Sequence, residues 1–441
     1  MRSSDRRRRI GLTASFLLLG GLVAAVAAGP AATASSHSTG SKSQSSGHGR
    51  WVSGHGRWVA TWGASPQEAV PGSLAATGFV NQTIRNIVFT SVGGSGVRLE
   101  LTNVFGTSPL AVGRVTVGVA GLGAAVVPGT MHVVRFGGSR SIEIPAGAQA
   151  LSDPVAMRVQ PLQELAVSVY VPDSTGPATN HSDAQQVNWV STAGDHAAQA
   201  GGAAFTTQSQ SWYFLDDVIV RSARAVGGVV AFGDSITDGY HSNVGANARW
   251  PNDLARRLDA VHGRTLAVVD EGISGNRILH NSACCGVKAL ARVGRDVLDQ
   301  PGVRDVILLE GINDIGFSDL PPSPLTNPNT NVSAAQIIAG DKQIIAAAHA
   351  RGLKIFGATL TPFKGSAYYT AAGEKKREKV NHWIRTSGAF DGVINFAKVV
   401  RSPSNPLILN PAYDSGDHLH PNDAGYQAMA NAISLEMLLK G

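Results

Sequence analysis

This chain of 441 residues has only two cysteines, and they are neighbours, Cys284 and Cys285. So few thiols exclude a fold pinned by a disulfide framework. The absence of a C-x-x-C spacing excludes a redox pair or a zinc site of that type. Adjacent cysteines rarely bridge, because the small ring strains the peptide between them. The pair is therefore expected to be a loop feature, with a vicinal disulfide as the less favoured alternative. Charged residues are also few, at 15%. The formal +6 is concentrated at the start: residues 1–34 hold five arginines and one aspartate, which leaves +2 for the rest. No basic stripe remains to grip a polyanion, so nucleic acid is not an expected partner. Beyond the N-terminus no long apolar stretch demands a lipid surface. The G-x-S-x-G motif is missing, which excludes the ordinary nucleophile elbow of the α/β-hydrolases.

What is present begins with a targeting pattern. Arg2 and the run Arg6 to Arg9 precede an apolar stretch from Ile10 to Ala28, and Ala32-Thr33-Ala34 fits a small-residue cleavage site. Residues 1–34 are read as a signal peptide, with a retained anchor as the competing reading. Cleavage would leave a secreted protein with no stable membrane insertion. The paired arginines leave both the general and the twin-arginine export routes open. Residues 35–58 are rich in Ser, Gly and His and suit a flexible linker. Within them Gly47-His-Gly-Arg-Trp-Val52 recurs as Gly54-His-Gly-Arg-Trp-Val59, a duplication too short to make a solenoid.

Residues 59–222 carry short β-branched runs at Ile84–Thr90, Val97–Thr102, Val115–Val119, Met131–Phe136, Val155–Val159 and Leu165–Val171. Turn residues mostly separate them, and long helical periodicity is missing. Such spacing predicts a β-sandwich or jelly-roll-like accessory domain. After Ala223 strands alternate with helices. Strands are expected at Val229–Phe232, Leu266–Asp270, Val306–Leu309, Leu353–Thr359 and Val393–Phe396. Helices are expected at Pro251–His262, after a capping box at Ser333 and Gln336, and from Pro421. That alternation predicts an α/β region over residues 223–441 with a parallel, doubly wound sheet.

Four stretches of the second half carry chemistry: Gly233-Asp-Ser235-Ile, Ser274-Gly275-Asn276, Gly311-Ile-Asn313-Asp314 and Asp417-His-Leu-His420-Pro421. The first three follow expected strands, where sites gather in open α/β sheets. A serine hydroxyl attacks only when a base takes its proton. Ser235 is the candidate nucleophile and His420 the candidate base, with Asp417 three residues earlier to hold the ring. The tetrahedral oxyanion needs preorganised donors. The Ser235 and Gly275 N–H groups and the Asn313 side-chain amide offer three. Each piece alone has a plainer reading: a turn and helix cap for Gly-Asp-Ser, a turn glycine, a loop asparagine, a surface Asp and His before a helix. Their order is what argues for a site. His418 is a decoy of the same composition. Asp234 and Asp238 flank the serine, but two carboxylates without a clear third ligand make a weak case for a cation. Tyr240, His241 and Trp250 are candidates for the pocket wall or, for Trp250, for the core. Gly316–Val332 is a long polar loop with four prolines, read either as a rim or lid or as surface ornament.

Residues 225–441 resemble the SGNH hydrolases, also called the GDSL esterase/lipase superfamily, through Ser235, Gly275, Asn313 and the Asp417/His420 pair in that family's order. Ile236 stands where the name-giving motif has leucine, an apolar exchange. The resemblance implies a flavodoxin-like three-layer domain that needs no metal or other cofactor. It also implies a serine carboxylic ester hydrolase working through an acyl-enzyme. The β-rich first half looks like that of secreted actinobacterial members, some similar to carbohydrate acetyl esterases. The expected partner is thus an acylated carbohydrate or a lipid ester. Short acyl groups such as acetyl on polysaccharide are the first expectation. A lipase or phospholipase, or a glycan-binding protein on a non-catalytic scaffold, is the alternative.

Overall fold

A computed structural model describes residues 56–440, which form one compact unit. The expected signal peptide and nearly all of the expected linker lie outside the described residues. Among those residues no helix is long and apolar enough to cross a membrane.

The first half is β-rich and antiparallel. One sheet runs in the order Arg57–Gly63, Leu215–Ser222, Val97–Thr102, Gln149–Leu151. The other has six strands: Phe205–Ser209, Asn188–Ala193, Gln82–Phe89, Glu164–Val171, Arg114–Val119 and His132–Val134. Val59, Leu99 and Val220 of the first sheet share one core with Ile84, Val117 and Val167 of the second, so the two stack as a sandwich. The alternation that made these runs legible is the alternation that fills this core.

One expected strand fails. Val155–Val159 makes only single bridges, at Val97 and Gly94, because Met157 N–H turns back onto the Val155 carbonyl at 2.9 Å and breaks the ladder. Several short strands, such as Leu110–Val112 and Trp212–Tyr213, went unexpected; at two or three residues they carry no period to read.

The second half holds five parallel strands in the spatial order Thr265–Gly272, Ala225–Gly233, Val303–Leu309, Lys354–Ala358, Gly392–Ile394. In chain order this is 2-1-3-4-5, the flavodoxin-like arrangement. Val229 to Phe232 are buried, as a strand covered on both faces requires. Helix Trp250–Asp259 starts with Pro251 in its first turn and turns Leu254 and Leu258 into the core. Ser333 and Gln336 cap each other at the start of helix Ala334–Ala350. Several ends differ from expectation: helix Trp250–Asp259 stops short of His262, and the first parallel strand begins at Ala225 rather than Val229. The fifth strand stops at Ile394, since Asn395 caps a new helix, and the last long helix begins at Asp423 behind Asn422 rather than at Pro421. Helix Ala371–Thr386 was not expected. It is rich in charge, and the one face it buries carries Glu374, Arg377 and Asn381 beside Val380 and Ile384, so no apolar stripe marks it.

The halves pack directly on each other, with Ala225 and Ala267 of the parallel half in the sandwich core. Leu215–Ser222 passes through only two residues, Ala223 and Arg224, into the strand that ends at Gly233. Across the seam Ala60 N–H bonds the Pro301 carbonyl at 2.9 Å, and Val268 N–H bonds Ser91 Oγ at 3.0 Å.

Candidate active site

The nucleophile strand stops because Gly233 leads into a short helical turn. Asp234 caps it by accepting the Ile236 N–H at 3.0 Å, and Ser235 is its first residue. Gly233 is required: a Cβ there would stand 2.3 Å from both the Leu309 carbonyl oxygen and Thr237 Oγ1. Burial pushes the Asp234 carboxyl up to about 7, against the pull of the Ile236 N–H.

Ser235 Oγ and His420 Nε2 lie 2.8 Å apart, and His420 Nδ1 lies 2.5 Å from Asp417 Oδ2. The chain thus brings the serine, the histidine and the carboxylate into one hydrogen-bonded line across 185 residues of sequence. Burial works against the Asp417 charge. The His420 ring and the Leu419 and His420 N–H groups outweigh it and hold the carboxyl well below the usual carboxylate range. Asp417 therefore stays an acceptor, which fixes the Nδ1–H tautomer and leaves Nε2 free to take a proton. His418 points away: its side chain is 52% exposed and bonded to Asp414 at 2.6 Å.

Two of the three expected donors, Ser235 and Gly275, share one pocket with His420. Gly275 sits at φ +78°, and a Cβ on it would meet Cys285 Sγ at 2.4 Å, so only glycine fits. Neither the Ser235 nor the Gly275 N–H bonds to any group among the described residues. Asn313 Nδ2 donates to the Asn276 carbonyl at 2.9 Å, which leaves its second N–H unspent. Ser235, Gly275 and His420 line one pocket of about 390 Å³. Asn313, 1% exposed, does not line it, and Asp417 reaches it only through His420.

Tyr240, Tyr368 and Phe317 supply the aromatic wall of that pocket, with Leu320 and Thr326 from the proline-rich loop at its rim. That loop is tied down through Arg277 to the Pro328 carbonyl (2.6 Å), Asn329 to the Phe317 carbonyl (2.6 Å) and Cys284 N–H to the Leu325 carbonyl (3.1 Å). Trp250 is not in the wall. It is fully buried and packs on Phe396. His241 approaches Asp417 Oδ2 at 3.4 Å, and burial lowers its own basicity. His241, Asp417 and His420 could each turn one atom toward a common ion, but Asp417 Oδ2 and His420 Nε2 are already committed within the line.

The favoured expectation for the cysteines is overturned. Cys284 and Cys285 form a vicinal disulfide that lines the pocket. The backbone absorbs the small ring in a tight turn, closed by Ser282 N–H on the Gly286 carbonyl (3.1 Å) and Cys285 N–H on the Ser282 carbonyl (3.0 Å), with Gly286 at φ +71°.

A further set of residues escaped the sequence. Asp238 receives the Ser274 N–H at 3.0 Å and the Ser274 hydroxyl lies 2.9 Å away, so this carboxylate fixes the turn that presents Gly275. Its other oxygen faces His181 Nε2 at 3.1 Å, while His181 Nδ1 faces the Ser65 carbonyl at 2.9 Å. Both ring nitrogens address acceptors, so both carry protons and the ring is an imidazolium. Burial opposes that charge, but Asp238 and the Ser65 carbonyl together raise the His181 pKa above the ordinary imidazole value. Ser274 Oγ also lies 2.7 Å from Asp183 Oδ2, and burial beside Asp238 raises the Asp183 pKa. One hydroxyl proton cannot serve two carboxylates, so a proton on Asp183 completes the set. His181 and Asp183 come from the antiparallel half. No motif announces them, because their partners are 57 and 91 residues away.

Residues 231–428 match the family described as GDSL-like Lipase/Acylhydrolase. This half of the chain is similar to that family. Its reaction is the hydrolysis of carboxylic esters, and the parallel sheet with its helices is the SGNH α/β fold. Similar solved structures include a GDSL-like lipase from Bacteroides thetaiotaomicron, 18% identical, covering 49% of this chain and 89% of its own, at a TM-score of 0.36. The lipase/acylhydrolase from Enterococcus faecalis is 19% identical over 47% of this chain and 92% of its own, at a TM-score of 0.36. An alpha/beta hydrolase enzyme from the metagenome of Lake Arreo is 21% identical over 47% and 93%, at 0.37. No curated protein matches the chain.

Proposed function

We propose that the protein is a secreted serine esterase that removes short acyl groups, acetyl first, from a hydroxyl-rich alcohol such as a polysaccharide. The observation that carries the esterase reading is the line from Ser235 Oγ through His420 to Asp417, at 2.8 and 2.5 Å. Ser235 attacks the ester carbonyl as His420 Nε2 takes its proton. The oxyanion is held by the Ser235 and Gly275 N–H groups and the spare N–H of Asn313. Collapse expels the alcohol, which receives the proton from His420 and leaves an acyl-Ser235. Water, deprotonated by His420, then releases the carboxylic acid.

The preference for a polar alcohol rests on the pocket. Its lining joins aromatic and sulfur groups to the polar residues Ser182, Asp183 and Ser274. Secretion is supported by the arginine-led apolar N-terminus and by the disulfide, which persists in oxidising compartments. Ser235→Ala should remove hydrolysis of p-nitrophenyl acetate, a loss of about 10⁴-fold or more. An unchanged rate sinks the reading. A chain-length series of nitrophenyl esters, run beside acetylated xylan and a phospholipid, should fall steeply beyond acetyl; a maximum at long chains would make the enzyme a lipase.

A further inference from the structure

Away from the ester site, four carboxylates meet where the antiparallel and parallel halves join. Glu100 and Asp217 are register partners on adjacent antiparallel strands, so their side chains share a face. The register shifts between Leu215 and Asp217, and this bulge brings Asp216 to the same cluster. One oxygen from each of the three lies within 4.8 Å of the others. Glu271 joins from the parallel sheet. A Cβ added at Gly63 would stand 2.5 Å from Glu271 Oε1 and 2.6 Å from Asp217 Oδ1. Both oxygens therefore point into the one space that the bare Gly63 leaves open.

Among the described residues no arginine, lysine or histidine forms an ion pair with these carboxylates, although Arg295 is near enough to favour the Asp216 charge. Arg292 and Arg295, the guanidiniums of the neighbourhood, pair with Asp296 at 3.2 and 2.5 Å. The protein's own donors fall short as well. Ser65 and Gln300 donate to Glu271 at 2.7 and 3.1 Å, and Gln149 donates to Asp216. Asp217, 2% exposed, keeps Oδ1 without any hydrogen-bond partner, and so does the Oε1 of Gln300, 7% exposed. A buried carboxylate oxygen with no donor is a costly arrangement unless a cation meets it.

We propose that Glu100, Asp216 and Asp217 bind a divalent cation, Ca²⁺ by preference, with Glu271 beside Asp217. An all-oxygen donor set selects a hard ion. Ca²⁺ takes six to eight oxygens at about 2.3–2.6 Å, so three oxygens that all lie within 4.8 Å of one another can share one ion. Mg²⁺ demands a tighter octahedron and keeps its waters, which an enclosed set of carboxylates does not offer. The ion would clamp the strands Val97–Thr102 and Leu215–Ser222 together. This site is independent of the esterase reading.

The test uses the full chain, stripped with EDTA and titrated with CaCl₂ by calorimetry and by thermal melting. The expected result is one Ca²⁺ per chain and a melting point raised by about 5 °C at a hundredfold excess over Kd. Asp217→Asn and Glu100→Gln should each lose that shift and at least tenfold in affinity. If protons alone neutralise the cluster, the wild type gives no heat and no shift. Asp217→Asn, relieved of an unanswered charge, then melts higher than the wild type with or without Ca²⁺; either result overturns the proposal. Should the variants fail to fold, the wild-type isotherm decides by itself.

Discussion

The two halves of this molecule use buried charge in opposite ways. In the parallel half the ionised line at the nucleophile is assembled from one strand end and one loop, and every member has a partner: Ser235 to His420, His420 to Asp417, Asp417 to two backbone N–H groups. In the antiparallel half one charge near the seam, that of His181, is answered from across it, while Asp217 keeps an oxygen without a partner. His181 is ionised because Asp238 of the other half accepts from it, and Asp238 in turn fixes the Ser274 turn. The lesson is that the sandwich is part of the active-site scaffold, since it supplies one wall of the pocket and the brace behind one oxyanion donor.

The largest expected effect breaks the comparison outright. A chain lacking residues 59–222 loses the partners of Asp238, Glu271 and Val268, and it exposes the apolar face that Val59 and Ala225 now share. It should be insoluble or inactive; a soluble, active remainder would reduce the sandwich to an appendage. Next, Asp417→Asn keeps the shape of the line but favours the wrong imidazole tautomer, and turnover of p-nitrophenyl acetate should fall by roughly 10⁴-fold with melting temperature nearly unchanged. Asn313→Ala removes one oxyanion donor and should cost about 10²–10³ in kcat with KM little altered. A loss confined to stability would assign Asn313 to the Asn276 turn alone.

The smallest effect is the most informative. His181→Phe, acting through Asp238 on the Gly275 turn, should lower kcat by about tenfold, within the 1–3 kcal/mol that an unpartnered buried group costs. Its pH dependence follows from a raised native pKa. The stabilisation is fully present below the unfolded imidazole value of about 6.5 and is lost as pH climbs through the higher native value. The charged groups that set this window are Asp238 and Arg249, with Asp270 beside Arg249 at 3.6 Å. Urea melts of wild type and variant should therefore differ most near pH 6 and converge toward alkaline pH. A pH-independent difference would make His181 a packing residue.

Much of this was legible in the chain. Val229 to Phe232 reads as a buried strand because four consecutive apolar residues meet a glycine, and the capping box at Ser333 marks a helix start that the fold respects. The parallel order and the Ser235, Asp417 and His420 line were within reach because each local motif closes a strand or opens a turn. The sandwich strands of two or three residues were not, since no period fits in so few positions. Helix Ala371–Thr386 hid behind its charge, with Arg377 buried through an ion pair to Glu374 that no amphipathic pattern encodes. The disulfide at the pocket and the His181 brace were equally hidden. One depends on how tightly a turn closes and the other on which distant strand lies alongside.

The two-residue passage from Ser222 to Ala225 has a practical consequence for engineering. A catalytic module that is to be moved between carriers needs slack on at least one side, and here the strand leading to the nucleophile is a direct continuation of the sandwich's last strand. Any hybrid joined at that point would have to reproduce both the direction and the register of Leu215–Ser222. For a chimaeric esterase the transferable cassette therefore begins at the first sandwich strand, and the natural place for a tether is ahead of Arg57.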